Sequence, residues 1–283
     1  MALKALGIGK GDEVIVPVNT VTADAEAVLL CGAKPRFVDV NDDGNVHDFN
    51  PKKAKAIIAV HMYGHPCDMR RLAMYGLPII EDCSHAHGAE YHGKKVGSLG
   101  DIGVFSFFPS KVLGGFGDGG CITTNNEEYA EKVKRLRDHG RTGKFDHIEW
   151  GFNFRLDGIQ AAILNAKLPK LDEFVEKRRR VANRYMSLKT YIPSEASECK
   201  HSYYVYPIRF NDRDFLRGKL AELGVNTSIH YPKILTHQKA YKKFGRFKKA
   251  ERIAETTLSL PMYPELSRED QDYIINAVNG VLK

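Results

Sequence analysis

Along the first 140 residues, short apolar runs alternate with stretches of helical spacing. The runs Glu13–Val16, Pro35–Val40, Ile57–Val60, Leu77–Ile80, Ile102–Phe107 and Cys121–Thr124 predict strands. Between them, Ala23–Cys31, a turn around Asp68–Met74, and Glu127–Asp138 carry a helical pattern. Strands that are largely apolar, alternating with helices, predict a mostly parallel α/β sheet covered on both faces. The pattern then changes. Leu156–Leu188 is one long helical stretch with the stripe Ile159, Ile163, Leu164, Leu168 and Leu171, and Pro169 should bend it. An aromatic strand at Ser202–Phe210, a helix at Arg213–Leu223, a short strand at Asn226–Ile229 and a closing helix at Arg268–Leu282 complete a smaller α+β unit.

This pattern divides the chain near residue 175. Residues 1–175 form a large α/β domain, and residues 176–283 a small C-terminal α+β domain. No low-complexity linker or repeat separates them, so close packing is expected. Met1–Leu6, apolar at positions 1, 2, 3, 5 and 6 and stopped by Gly7, reads as the tail of a helix. A domain that opens on half a helix is expected to have lost its beginning.

Composition narrows the class without naming a function. With 283 residues, 43% hydrophobic and 27% charged, the chain is an ordinary globular protein with room for two cores. No apolar run approaches the roughly 18 residues of a membrane span. The 42 Lys+Arg against 35 Asp+Glu leave a mild +7, which suits an anionic small molecule. No zinc-finger or RNA-binding signature points to nucleic acid. The basic runs Lys177–Arg180 and Lys242–Lys249 read as solvated helix faces. Five widely spaced cysteines without C-x-x-C, behind an N-terminus too short and charged for a signal peptide, indicate a reducing, cytoplasmic setting.

Two segments carry candidate chemistry. The first is Ile80–Gly88. It follows an apolar strand, so Asp82 stands at a strand's carboxyl end, where ligands bind in open α/β sheets. A carboxylate there could equally cap a turn. His61, His65, His85, His87 and His92 cluster in sequence but show no zinc-ligand spacing, so no metal is expected. The second segment is Phe105–Gly120, a strand running into a loop with Lys111 and then five glycines in the seven residues 114–120. The glycines would let backbone pass close to something flat or anionic. The order matches neither a Walker loop nor a Rossmann fingerprint. Lys111 could be a plain surface residue. Flanked by Phe107, Phe108, Pro109 and Phe116, it could instead be a desolvated amine nucleophile. An Asp and a Lys at neighbouring strand ends suit pyridoxal phosphate, which needs a Schiff-base amine and a carboxylate for its ring nitrogen. Ser106 could help hold its phosphate.

At these residues the chain resembles the DegT/DnrJ/EryC1/StrS family of PLP-dependent sugar aminotransferases. The resemblance runs over nearly the whole length. It is anchored by Ala5–Pro17, His61–Gly64, Ile80–Gly88, Phe105–Gly120, Gly151–Arg155 with Gln160–Ala162, Ile229–Pro232 and Leu258–Pro261. It implies the PLP-dependent transferase fold of type I, and transfer of an amino group from glutamate to a nucleotide-linked keto sugar. Lys111 matches the Schiff-base lysine, Asp82 the partner of the ring nitrogen, His85 the group near the ring hydroxyl, and Ser106 a phosphate-binding serine. Asn153 matches an Asn that reaches the phosphate from a neighbouring subunit, which implies a homodimer. His230 and Tyr231 match a substrate-side loop. Dehydratase relatives carry His in place of the lysine, so Lys111 favours transamination.

The chain also departs from the family pattern. The Gly-Thr-x-Ala-Leu segment that helps hold the phosphate is not present, Asp39–Ile57 and the helix around Leu72–Gly76 are short, and Val21 and Val112 replace an aromatic and an Asn. Loss of two charge-assisted phosphate bonds predicts cofactor affinity lower by roughly 10²- to 10⁴-fold. That expectation carries a second reading, a shortened relative persisting as a binding or regulatory subunit.

Overall fold

The computed structural model describes residues 1–192, 194–241 and 245–282. A short helix α1 (Ala2–Ala5) leads into strand β1 (Glu13–Pro17), helix α2 (Thr22–Leu30), strands β2 (Lys34–Val38) and β3 (Ala54–Val60), helix α3 (Met69–Ala73) and strand β4 (Ile79–Asp82). Two short strands, β5 (Glu90–Tyr91) and β6 (Lys94–Lys95), precede β7 (Ile102–Ser106), β8 (Gly120–Thr123) and α4 (Glu127–Leu136). The main sheet has the order β2-β1-β3-β4-β7-β8. Every pair in it is parallel except β7 with β8. The central strand β3 explains why: Ala56, Ile57, Ile58, Ala59 and Val60 are all buried, so both of its faces need cover. Each such branched side chain contributes roughly 1.5–3 kcal/mol by leaving water.

Polar caps set where the helices start. Asp68, Asn126, Asp212 and Ser267 each accept a hydrogen bond from the backbone N–H three residues on. Beyond α4 the chain forms α5 (Gly158–Lys167) and α6 (Leu171–Tyr185), joined by a single 3₁₀ turn that contains Pro169. The long helical stretch is therefore interrupted where the proline was expected to bend it. Strand β9 (Cys199–Lys200) joins β5 and β6 in a small antiparallel sheet. Strand β10 (Tyr206–Arg209), helix α7 (Arg213–Glu222), helix α8 (Lys248–Thr256), strand β11 (Thr257–Leu260) and helix α9 (Arg268–Val281) complete the order. A second core of Val181, Tyr185, Tyr206, Leu216, Leu258 and Ile274 sits beneath the β10–β11 pair.

Several expected elements come out differently. Only Tyr206–Arg209 of the aromatic segment is strand, because Ser202 and Tyr204 donate their N–H groups to Gly64 and Tyr63 of the large sheet's side instead. Asn226–Ile229 makes no strand, only an isolated bridge between Ser228 and Ser259. Both α8 and β11 are absent from the sequence reading. The run Lys177–Arg180 is not wholly solvated: Arg178 is buried and donates to the carbonyls of Tyr203, Tyr204 and Met262. Burial presses its guanidinium down to about 10. Part of the run Lys242–Lys249, residues 242–244, lies outside the described residues.

The second half of the chain returns to the first. Ile234, Leu235, Phe247, Ala250 and Ile253 join the core of the large sheet. Leu235 N–H donates to Val18 O, and Ala250 N–H to Asp39 Oδ1.

Candidate active site

Strand β4 ends in two adjacent carboxylates, which a strand's alternation sends to opposite faces. Glu81 is fully buried and saturated. Its Oε2 accepts from Gly97 N–H (2.9 Å) and lies 2.9 Å from His61 Nε2, while its Oε1 accepts from Leu99 and Gly100 N–H groups (2.8 and 2.7 Å). His61 Nδ1 accepts from Cys67 N–H (2.9 Å). Burial pushes the Glu81 carboxyl up, but His61 and the backbone donors outweigh it and hold it below its usual value. Glu81, His61 and Cys83 stand close enough to hold an ion. The donor atoms of the first two are already committed to this knot, so the cluster has the character of a structural joint.

Asp82 faces the other way. It lines a cavity of about 1090 Å³, whose wall also includes Asp24, Ser84, Ser106 and Asn153. Asp82 Oδ1 accepts from Ser84 N–H (2.9 Å). Ser106 ends β7, the strand beside β4, and its Oγ accepts from Phe108 N–H (3.2 Å). Lys111 follows in the loop, half-buried, its Nζ 4.6 Å from the centre of the Tyr204 ring. Burial lowers the Lys111 pKa, and the charges of Asp82 and Asp24 counteract this. Of the two sequence readings of Lys111, the desolvated amine is therefore the one found.

His85 is buried, stacked on Tyr204 with ring centres 4.5 Å apart, and its Nε2 lies 3.4 Å from the Tyr231 hydroxyl. Among the described residues His85 Nδ1 has no hydrogen-bond partner. Burial, with the Lys111 charge next, holds both rings neutral: His85 falls well below the usual histidine range and His87 to about 4. His230 Nδ1 is 2.9 Å from Ser259 Oγ, and the Tyr63 hydroxyl donates to His230 O (2.7 Å). The structure thus brings Asp82, His85, Ser106, Lys111 and Tyr231 to one end of the sheet, with His230 beside them. Asn153 is exposed and sits on the cavity's outer wall.

The glycine-rich loop has another cause than the one expected. An added Cβ on Gly114 would stand 2.4 Å from Pro109 O, and on Gly120 2.6 Å from Phe105 O. Gly115 and Gly117 face the Gln160 side chain in the same way, and Phe116 N–H donates to Gln160 Oε1 (2.8 Å). The close approach is to the protein's own chain, which folds tightly to present Lys111.

Sequence reasoning missed three groups here: Asp24, Thr20 and Tyr204. The Thr20 hydroxyl donates to Asp24 Oδ2 (2.6 Å), and Asp24 stands within hydrogen-bonding range of Asp82. The one signal was an acid among the small residues of α2. Tyr204 carried none, because its role depends on Lys111 reaching it.

A pyridine cofactor fits these residues. Among the described residues, His85 Nδ1 is a buried polar atom without a hydrogen-bond partner, left for a bound group to satisfy.

The chain is 42% identical to a "pleiotropic regulatory protein" of Geobacillus stearothermophilus, over 98% of this chain and 80% of that one. It is 43% identical to the UDP-N-acetyl-3-dehydro-alpha-D-glucosamine 3-aminotransferase of Acidithiobacillus ferrooxidans, over 100% of this chain and 81% of that one. The crystal structure of S. venezuelae DesV in complex with a ketimine intermediate superposes with a TM-score of 0.94 at 37% identity, covering 100% of this chain and 81% of DesV. The signature of one family matches residues 1–279, and the chain belongs to it: the DegT/DnrJ/EryC1/StrS aminotransferase family.

Proposed function

We infer that this chain is a PLP-dependent aminotransferase that moves an amino group from glutamate to a keto sugar carried on a nucleoside diphosphate. The observation that carries the reading is Lys111, a desolvated amine held beside Asp82 where β4 and β7 end. The relative that acts on a UDP-linked 3-dehydro sugar supports the substrate class. The cavity that Asp82 and Ser106 line, about 1090 Å³, is as large as the roughly 300–1,000 Å³ of a small-molecule pocket.

When bound, PLP supplies an electron sink for the carbon that loses its proton. The protein's own residues do the rest. Lys111 Nζ provides the amine that holds the cofactor and, once displaced, takes and returns the substrate's proton. The low pKa that burial gives it raises the neutral fraction this needs. Asp82 keeps the ring nitrogen protonated. His85, held neutral by burial, offers Nδ1 to the ring hydroxyl. Ser106 binds the phosphate, joined by Asn153 of a second copy. His230 and Tyr231 border the substrate from the segment that runs between the two cores.

The homodimer is supported by apolar exposure. Phe116 (78%), Trp150 (96%) and Ile159 (76%) stand in water, with Phe145 and Ile148 beside Trp150 in sequence. Large apolar side chains left this exposed are of the kind a partner subunit covers. Five unpaired cysteines support a reducing, cytoplasmic setting. No helix among the described residues is long and apolar enough to cross a membrane.

Adding PLP to purified protein should produce an absorbance band near the visible edge that is absent in Lys111→Ala, and glutamate should convert it. Wild-type protein that shows no band at excess PLP would refute the reading.

A further inference from the structure

Asp24 is a buried acid that the mechanism above does not use. It is the third residue of α2, a position where the helix dipole ordinarily favours a carboxylate. Its surroundings oppose that charge. One neighbour is Asp82, in hydrogen-bonding range. Two carboxylates that close, out of water, do not both ionise. The other neighbour is Thr20, whose hydroxyl donates to Asp24 Oδ2 at 2.6 Å. That bond occupies Asp24 Oδ2. A proton on Asp24 would complete a chain from the Thr20 hydroxyl through Asp24 to the Asp82 carboxylate. Asp82 Oδ1 is held at the same time by Ser84 N–H at 2.9 Å.

We propose that Asp24 is a positioning residue that stays a neutral carboxylic acid and, by donating to Asp82, fixes that carboxylate toward the cofactor's ring nitrogen. This rests on the reading that Asp82 faces that nitrogen. Burial, and next the Asp82 charge, push the Asp24 carboxyl well above its usual range, while Thr20 and the more distant Lys111 act against the shift. Tyr231 is the remaining titratable group that feels both carboxylates. An anion at position 24 would do a different job, as a second negative charge beside the ring. The two possibilities respond oppositely to amide substitution.

An amide reproduces the neutral acid: its oxygen accepts from Thr20 and its N–H donates to Asp82. PLP affinity, measured by equilibrium dialysis, should therefore stay within about threefold of wild type in Asp24→Asn. It should fall about 10- to 100-fold in Asp24→Ala, the range expected for losing one charge-assisted hydrogen bond. The protein without cofactor gives an independent readout. A carboxyl whose folded pKa lies above its unfolded value weakens the fold as pH rises from the unfolded value through the folded one. Asp24→Asn removes that burden, so it should melt a few degrees above wild type at pH 7, whereas Asp24→Ala gains no rescue of affinity. If Asp24→Asn loses as much affinity as Asp24→Ala, or if Asp24→Ala binds like wild type, the inference is overturned while the functional reading stands. If wild type itself does not bind PLP, the functional reading fails and takes this inference with it.

Discussion

Glu81 and Asp82 are consecutive residues of one strand, both buried, and they serve opposite ends. Around Glu81 the described polar atoms of the carboxylate and of His61 have partners, and the group is locked to four backbone N–H donors or ring atoms. On the site side of the strand, His85 Nδ1 is unpartnered among the described residues, and a second acid faces Asp82. A satisfied buried network holds a fold in place; an unsatisfied one has been kept open at a cost in stability. The lesson is that burial and charge alone do not mark a functional carboxylate. What marks it is the unfinished hydrogen bonding beside it.

The sharpest way to break this contrast is to delete each carboxylate in turn. Glu81→Ala strands His61 and three N–H groups and should cost about 3–5 kcal/mol of unfolding free energy, read from denaturant melts. Any activity that survives folding should be ordinary. Asp82→Asn should do the reverse. Its turnover should fall about 10²- to 10³-fold, as when a preorganised electrostatic group is removed, with stability changed by under about 1 kcal/mol. Equal stability losses at the two positions would erase the distinction.

Acid separates the faces more gently. His87 has a folded pKa below its unfolded value, so the unfolded chain binds the extra proton. Its contribution is complete above pH 6.5 and is lost as pH falls toward 4, on the order of 3 kcal/mol. The Glu81 contribution, from a depressed carboxyl, is present above 4.5 and is lost only as pH falls below that value. His87→Gln, unfolded without cofactor at pH 7, 5 and 4, should therefore lose less stability on acidification than wild type. An equal loss in the two proteins would contradict it.

The middle of the sheet was legible because β1, β3 and β4 are buried on both faces and so read as bare apolar runs, Ile57–Val60 above all. The end of the chain was not. Helix α8 turns Ala250, Ile253, Ala254 and Thr256 inward, a stripe too short and small to stand out beside its lysines. Strand β11 has four residues, and its pairing with β10 is visible only in three dimensions. Asp82 and Lys111 could be singled out because strand ends and desolvating aromatics are local signals. Asp24 could not, since its meaning comes from a strand 58 residues away, read as 82 − 24.

The segment that carries His230 and Tyr231 has one foot on each core. Ser228 is bridged to Ser259 of the small sheet, and Leu235 N–H is bonded to Val18 O at the large one. A loop anchored at one end could open and shut by itself. This one is tied to both, so the Tyr231 hydroxyl keeps its place 3.4 Å from His85 Nε2 only while the two cores keep theirs.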